Sequence, residues 1–164
     1  MRKVGKDIRK TKRRQKLIIT KDNGKKMLTF TVDGETQAKQ RPRGTKDGHF
    51  YTPKKTVDYE EKVKRAYIGN FGKTQISGAI RAYITAFFTP PKSLSRKKRE
   101  KLIKDEALAT KKPDCDNIAK SVLDALNEVA YKDDSQVTDL YIRKRYGDTA
   151  KVVIALEEMG GNDK

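Results

Sequence analysis

Residues 112–139 read KPDCDNIAKSVLDALNEVAYKDDSQVTD, and this stretch combines a helical pattern with four flanking aspartates. It predicts a helix over residues 114–130, because apolar side chains recur on one face at helical spacing, at Ile118, Val122, Ala125 and Val129. Two pairs of aspartates flank this helix, Asp114 with Asp116 at its start and Asp133 with Asp134 after its end. The stretch therefore gathers carboxylates around one helix.

These acids lie in a strongly basic chain of 164 residues, with 39 Lys and Arg against 22 Asp and Glu and a formal charge of +17. Such a charge favours a polyanionic partner, above all a nucleic acid. An acidic cluster would repel that partner unless the carboxylates hold a divalent metal ion against a phosphate. The sequence therefore points to metal-assisted chemistry on a nucleic acid.

The length predicts one domain with a substantial core. Residues 1–26 carry 12 Lys or Arg against 2 Asp and are expected to form a mobile basic arm. The arm could equally be a solubility tail or a weak RNA contact. The folded domain is expected over residues 27–158, with a frayed tail at residues 159–164.

Composition also excludes several classes of protein. No apolar run is long enough to span a membrane, and no signal-peptide core follows Met1. Cys115 is the only cysteine, which suits a reducing compartment and excludes an intrachain disulfide. With one His and one Cys, a zinc site is not expected, so any metal should be a hard ion held by oxygen.

Outside the quoted stretch, alternation predicts a strand over residues 27–32 and another over residues 80–88. Between them a helix is expected from residue 56 or 58, and a short basic helix should follow Ser93 or Ser95. Residues 137–146 and 150–156 predict two strands joined by a hairpin turn at residues 147–148. This order indicates an α+β fold, with a single mixed β-sheet and helices packed on one face.

The two aspartate pairs can share a metal ion only under a topological condition. Asp114 and Asp116 face the same way if the chain is extended there. A helix of about 16 residues spans roughly 24 Å, so Asp133 and Asp134 would start far from them. The chain must double back, with the next strand pairing beside the strand that precedes the helix.

Each acidic residue also has a purely structural interpretation. Asp114 or Asp116 could be a helix N-cap, and Asp133-Asp134 could simply form a turn. Asn117 could be an ordinary first-turn helix residue. Cys115 is expected to be a small buried spacer.

Lys120 and Asp124 follow on the same helix. Lys120 could pair with Asp116 four residues earlier, or it could hold the scissile phosphate. Asp124 could be a surface partner of Lys120, a supporting carboxylate or a metal ligand.

The loop over residues 35–55 is basic, and aromatic residues are interleaved with its cations. Five cations are candidate contacts to a nucleic-acid backbone, with a solvated face as the alternative: Arg41, Arg43, Lys54, Lys55 and Lys112. The basic run over residues 96–101 is a further candidate. His49, Phe50 and Tyr51 could stack on a base, although for Phe50 packing into the core is the expected role.

Three segments of the quoted stretch together resemble the RusA-type Holliday junction resolvases: residues 112–120, 124–127 and 133–137. The run KQRPRGTKDGHFYTPKKTVDYE, residues 39–60, is similar to a loop of the same family. The resemblance covers about residues 27–158 and implies a RusA-like fold. It leaves most of residues 1–26 outside.

The resemblance implies a structure-specific endonuclease of phage or prophage origin, acting in DNA recombination and repair. Family members are homodimers that bind four-way DNA junctions and nick two strands symmetrically, with Mg²⁺ or Mn²⁺. It also implies action in the cytoplasm of a bacterial host cell, at the nucleoid. Two alternatives stay open, a non-catalytic nucleic-acid-binding protein and a Mg²⁺-dependent nuclease acting on other branched DNA.

Carried over by motif, the essential metal-binding carboxylates fall on Asp114, Asp116 and Asp134, and the motif lysine falls on Lys120. Asp124, Asp133 and Asn117 are assigned supporting roles. This chain departs from the family at Cys115, where Leu is common.

Overall fold

The computed structural model describes residues 21–22, 25–105 and 107–160. The elements in chain order are β1 (Lys21–Asp22), β2 (Lys25–Asp33), β3 (Arg43–Gly44), β4 (Phe50–Tyr51), α1 (Lys54–Phe71), β5 (Ile80–Phe88), α2 (Arg96–Lys104), α3 (Cys115–Leu126), a 3₁₀ turn (Asp134–Gln136), β6 (Val137–Tyr146) and β7 (Lys151–Glu158). The predicted order of strands and long helices is confirmed.

Five strands form one mixed sheet in the order β1-β2-β7-β5-β6, and β3 and β4 form a separate small hairpin. The pair β5 and β6 is parallel, and the other neighbours in the large sheet are antiparallel. β6 thus pairs beside the strand that precedes α3, which is the condition stated for a shared metal ion. The start of β6 lies beside the start of β5, however, and this pairing does not bring Asp134 to Asp114. The α+β prediction with a single mixed sheet is confirmed.

The core lies between the sheet and the helices α1 and α3. Strand β5 alternates strictly, and its buried positions face the same layer as those of β2 and β7. The helices contribute the other half of the core, with the buried residues Tyr59, Val63 and Tyr67 of α1 and Ile118, Val122, Ala125 and Leu126 of α3. α2 buries no residue. Burial of these apolar side chains is the main favourable term that fixes α3, and with it the acids, on the sheet.

The predicted hairpin between β6 and β7 is wrong, because β5 lies between the two strands. β6 enters parallel to β5 after the α3 crossover, so the next connection has to cross the end of β5. Gly147 N donates to Phe88 O at 2.9 Å during this crossing. A side chain would be crowded there, since a Cβ on Gly147 would lie 3.1 Å from Cδ1 of Phe87 and the ring would have to shift.

α3 ends at Leu126, four residues earlier than predicted. Asn127 leaves the helical region with φ −56° and ψ 137°, and Glu128 adopts a positive φ of 61°. The apolar residues Ala130 and Tyr131 lie beyond the end of the helix and are still buried. Ala130 O accepts a hydrogen bond of 2.8 Å from Ile76 N, ahead of β5.

Most of the predicted basic arm, residues 1–20 and 23–24, lies outside the described residues, as do residues 161–164 of the predicted tail. Within the part of the chain that the structure describes, no helix has the length and apolar character needed to cross a membrane.

Candidate metal and DNA-binding site

Asp114 and Asp116 occupy the start of α3. Asp114 is at the N-cap position with extended backbone (φ −73°, ψ 158°), yet its side chain makes no capping hydrogen bond. Asp116 lies in the first turn, and both side chains are exposed. Negative charge at the start of a helix interacts favourably with the helix dipole. Asp114 nevertheless does not use its side chain to cap the helix, although it occupies the N-cap position. Its carboxylate is left available to a ligand.

Asp133 and Asp134 begin the turn before β6 and differ in their contacts. Asp133 accepts a hydrogen bond of 2.9 Å from Ser135 N and forms a capping box with Gln136. Hydrogen bonds from Ser135, first through its side chain and then through its backbone, lower the pKa of Asp133. The turn interpretation therefore holds for Asp133. The exposed Asp134 carboxylate has no hydrogen bond or ion pair with the described residues.

Gln136 fastens this turn to the segment that precedes β5. Its Oε1 accepts hydrogen bonds from Lys132 N (2.9 Å) and Asp133 N (3.3 Å). Its Nε2 donates to Ile76 O (3.1 Å) and Gly78 O (3.0 Å). These four bonds use the full capacity of a side-chain amide, so the backbone around Asp134 is held firmly.

Asp134 begins the 3₁₀ turn that follows α3, and this turn contacts α3. Tyr131 is buried, and its hydroxyl donates to Leu123 O at 2.9 Å. Burial raises the pKa of Tyr131, and the charges of Asp134 and then Asp124 raise it further. Asp114 lies at the other end of α3, whose 12 residues span about 18 Å.

Asp124 has a partner that the sequence did not predict. Lys39 Nζ lies 2.8 Å from Asp124 Oδ2 and also pairs with Glu60 on α1. Lys39 N donates to Asn117 O at 3.3 Å, which ties the loop to α3 a second time. Burial alone would lower the pKa of Lys39, but its hydrogen bonds and charge interactions with Asp124 and Glu60 outweigh this and raise it.

Lys39 and Glu60 open and close the run that resembles the family loop, and this is the signal that could have singled them out. No spacing rule joins Lys39 to Asp124, because they meet only through the tertiary fold. Lys120 is exposed on α3, and neither Asp116 nor Asp124 pairs with it.

Among the described residues, no three Asp, Glu, His or Cys side chains lie close enough to hold one ion. The donor chemistry nevertheless fits a hard divalent cation, because Asp114, Asp116 and Asp134 offer only carboxylate oxygens and are not engaged elsewhere. One chain places two of these carboxylates at the start of α3 and the third in the turn that follows its end.

The candidate DNA contacts are all exposed: Arg41, Arg43, Lys54, Lys55 and Lys112. Lys112 also lines a groove between the start of α3 and the segment after β2, together with Asp114 and Asn117. The expected core packing of Phe50 is wrong. Its side chain is 79% exposed, because β3 and β4 form a two-residue ribbon that no apolar layer covers.

A comparison with protein families matches residues 33–157 to the family described as endodeoxyribonuclease RusA. The chain belongs to the RusA family. The matched range contains all the site residues named above, so the RusA match and the geometry concern the same part of the molecule.

One relative is a protein of Bacillus subtilis (strain 168), described as uncharacterized protein YqaN. It is 38% identical over 137 residues, which cover 80% of this chain and 96% of YqaN. The description of YqaN states no activity, so the endodeoxyribonuclease description comes from the RusA family match alone.

Proposed function

We propose that this protein is a metal-dependent endonuclease that nicks branched DNA, with the four-way junction as its main substrate. The observation that supports this best is the state of three aspartates. Asp114, Asp116 and Asp134 are exposed and not used by the fold, whereas their neighbours Asp124 and Asp133 are engaged. Unpaired carboxylates in a basic chain are costly for DNA binding unless a cation neutralises them.

Asp114, Asp116 and Asp134 are the residues that would hold Mg²⁺, with Mn²⁺ as a substitute. A bound divalent ion neutralises phosphate charge and lowers the pKa of a water molecule that attacks phosphorus. Lys120, one turn after Asp116, would hold the scissile phosphate and stabilise the charge that develops on it. Its ammonium is suited to this role as a compact point charge on a flexible stem.

The cations of the loop and of α1 are assigned to the DNA backbone. Arg41, Arg43, Lys54 and Lys55 would bind phosphates without reading base sequence. This matches a substrate recognised by shape. Lys112 would contact a phosphate next to Asp114.

Homodimer formation belongs to the same proposal. Symmetric nicking of two strands needs two active sites, and a two-fold dimer supplies them. The separation of Asp134 from Asp114 along α3 is a second reason to expect a dimer. A second copy of the chain would bring the missing carboxylate to each half-site, and the ligand set would then be complete.

The test is a nicking assay on a synthetic four-way junction, a flap and a linear duplex of matched sequence, with Mg²⁺ or with EDTA. We expect paired nicks in the junction, little cutting of the duplex and no reaction in EDTA. Preferential cutting of the flap would move the substrate to other branched DNA. Junction binding without nicking by the wild type in Mg²⁺ would identify a non-catalytic binding protein.

A further inference from the structure

The small hairpin over residues 43–51 is built to present side chains to solvent. Its two strands pair with Arg43 opposite Tyr51 and Gly44 opposite Phe50. The turn is closed by bonds from Thr45 N to His49 O (2.7 Å) and from Gly48 N to Thr45 O (3.1 Å). Gly48 has a φ of 79°, which other residues rarely adopt. The ribbon is therefore defined by its own backbone.

Neighbouring residues of a strand point to opposite faces, so the ribbon presents an aromatic ring on each side. The Phe50 ring is next to Gly44, which has no side chain to cover it. Phe50 is 79% exposed and Tyr51 is 51% exposed. Phe50 buries little of its surface and therefore adds little to the stability of the fold. An exposed ring of this kind is available to stack on a base.

The hairpin is anchored at its base and free at its tip. On one side, Lys39 is bound to Asp124 and to Asn117 O, and Gln40 N donates to Thr56 Oγ1 at 3.4 Å. On the other side, Pro53 is buried ahead of α1. These contacts tie the segment that leads into the ribbon to α3 and to the start of α1.

The surroundings of the rings are cationic. The described residues form no ion pair with five exposed cations of this region: Arg41, Arg43, Lys46, Lys54 and Lys55. Lys54 and Lys55 lie in the first turn of α1, where the helix dipole disfavours positive charge. Helix stability does not explain them, whereas an anionic partner does.

We propose that the hairpin binds unpaired nucleotides at a DNA branch point, with Phe50 stacked on an exposed base and the cations on the flanking phosphates. Every base has a π-face, so stacking reads the presence of an unpaired base and not its identity. The inference rests on the proposed function, which identifies DNA as the ligand. It adds a mechanism by which the protein distinguishes a branch point from a duplex. Duplex DNA offers the phosphates but no open base.

The experiment measures binding in EDTA, where nicking does not interfere. The probes are a four-way junction with 2-aminopurine beside the branch point and a linear duplex of matched sequence. Wild type and Phe50→Ala are compared with Phe50→Trp, which keeps a stacking surface. Tyr141→Ala is the matched control, because Tyr141 is an aromatic residue of β6 that is 48% exposed outside the hairpin.

We expect Phe50→Ala to weaken junction binding about 10-fold, the loss of one base stack, while duplex binding is unchanged. The 2-aminopurine signal should respond to the wild type and to Phe50→Trp but not to Phe50→Ala. Tyr141→Ala should behave as the wild type. Equal loss of junction and duplex binding, or no loss at all, would overturn the inference.

A shift of Phe50→Ala from dimer to monomer in sedimentation would also overturn it, because the ring would then be a contact between subunits. The proposed function fails on a different result, the absence of nicking by the wild type in Mg²⁺. The two failures can therefore be told apart.

Discussion

Asp133 and Asp134 are adjacent, and their side chains do different work. Asp133 accepts the hydrogen bond that caps the 3₁₀ turn, while Asp134 is exposed without such a bond. The resemblance assigned the metal-ligand role to Asp134 and a supporting role to Asp133, but it gave no physical reason for the difference. The structure supplies the reason for Asp133, whose carboxylate reaches the backbone N–H of Ser135.

Lys39 is expected to stabilise the fold by holding Asp124 and Glu60 together. Lys39→Met should destabilise the fold by about 1 kcal/mol, because Glu60 and Asp124 then repel each other without their shared cation. The measurement is the free energy of unfolding in urea. Lys46→Met is the matched control, since Lys46 belongs to the same loop and is exposed.

The same pair of variants has a defined pH dependence. The pKa of Lys39 is raised above 10.5 in the folded state, so its contribution is complete below that pH and is lost as the pH rises through the folded pKa. The stability gap between wild type and Lys39→Met should persist through neutral pH and narrow only in strong alkali. A gap that is absent at neutral pH would contradict the assigned ion pairs.

At the scale of elements, the sequence predicted what periodicity controls. The sequence predicts β5 with the bounds seen in the structure, residues 80–88, because buried and half-buried side chains alternate over its whole length. The β3–β4 hairpin was not predicted, since two-residue strands have no period to detect. The separation of β6 from β7 by β5 was also missed, because strand order is decided by the α3 crossover and not by the turn residues.

Gln136 is expected to hold the turn that carries Asp134 against the segment before β5. Gln136→Met keeps the side-chain size but removes four hydrogen bonds, so the turn that carries Asp134 should loosen from the segment before β5. We expect faster hydrogen exchange at the amides of Lys132 and Asp133 in the metal-free protein. Mn²⁺ binding, followed by electron paramagnetic resonance, should weaken in parallel.

Gln75→Met is the control for this variant, because Gln75 is an exposed residue of the same region with one hydrogen bond, to Glu128 O. If both variants exchange at the wild-type rate, Gln136 does not hold the turn.

At the scale of the whole molecule, the candidate ligands lie at the two ends of α3, and one chain does not bring them together. The resemblance found in the sequence implied which residues act, but it carried no information on whether they meet in one chain or across two. That question depends on the assembly. A homodimer that shares its sites would explain why the ligands remain apart in a single chain.

A mixing experiment tests this assembly. Asp116→Asn and Asp134→Asn are each expected to be inactive alone. If sites are shared between subunits, a mixed dimer contains one intact site, and re-equilibrated mixtures should recover about a quarter of the wild-type sites. If each chain forms its own site, every site in the mixture carries a substitution and no activity returns.

We propose that Asp114, Asp116 and Asp134 hold a divalent ion with which the protein cleaves branched DNA. The most direct measurement compares nicking of a four-way junction by wild type, Asp134→Asn and Asp133→Asn, with and without Mg²⁺. Asn is also a good N-cap, so Asp133→Asn should keep its turn and nick as the wild type does. We predict that Asp134→Asn binds the junction but does not nick it. Nicking by Asp134→Asn at the wild-type rate, or wild-type nicking that persists in EDTA, would contradict the account.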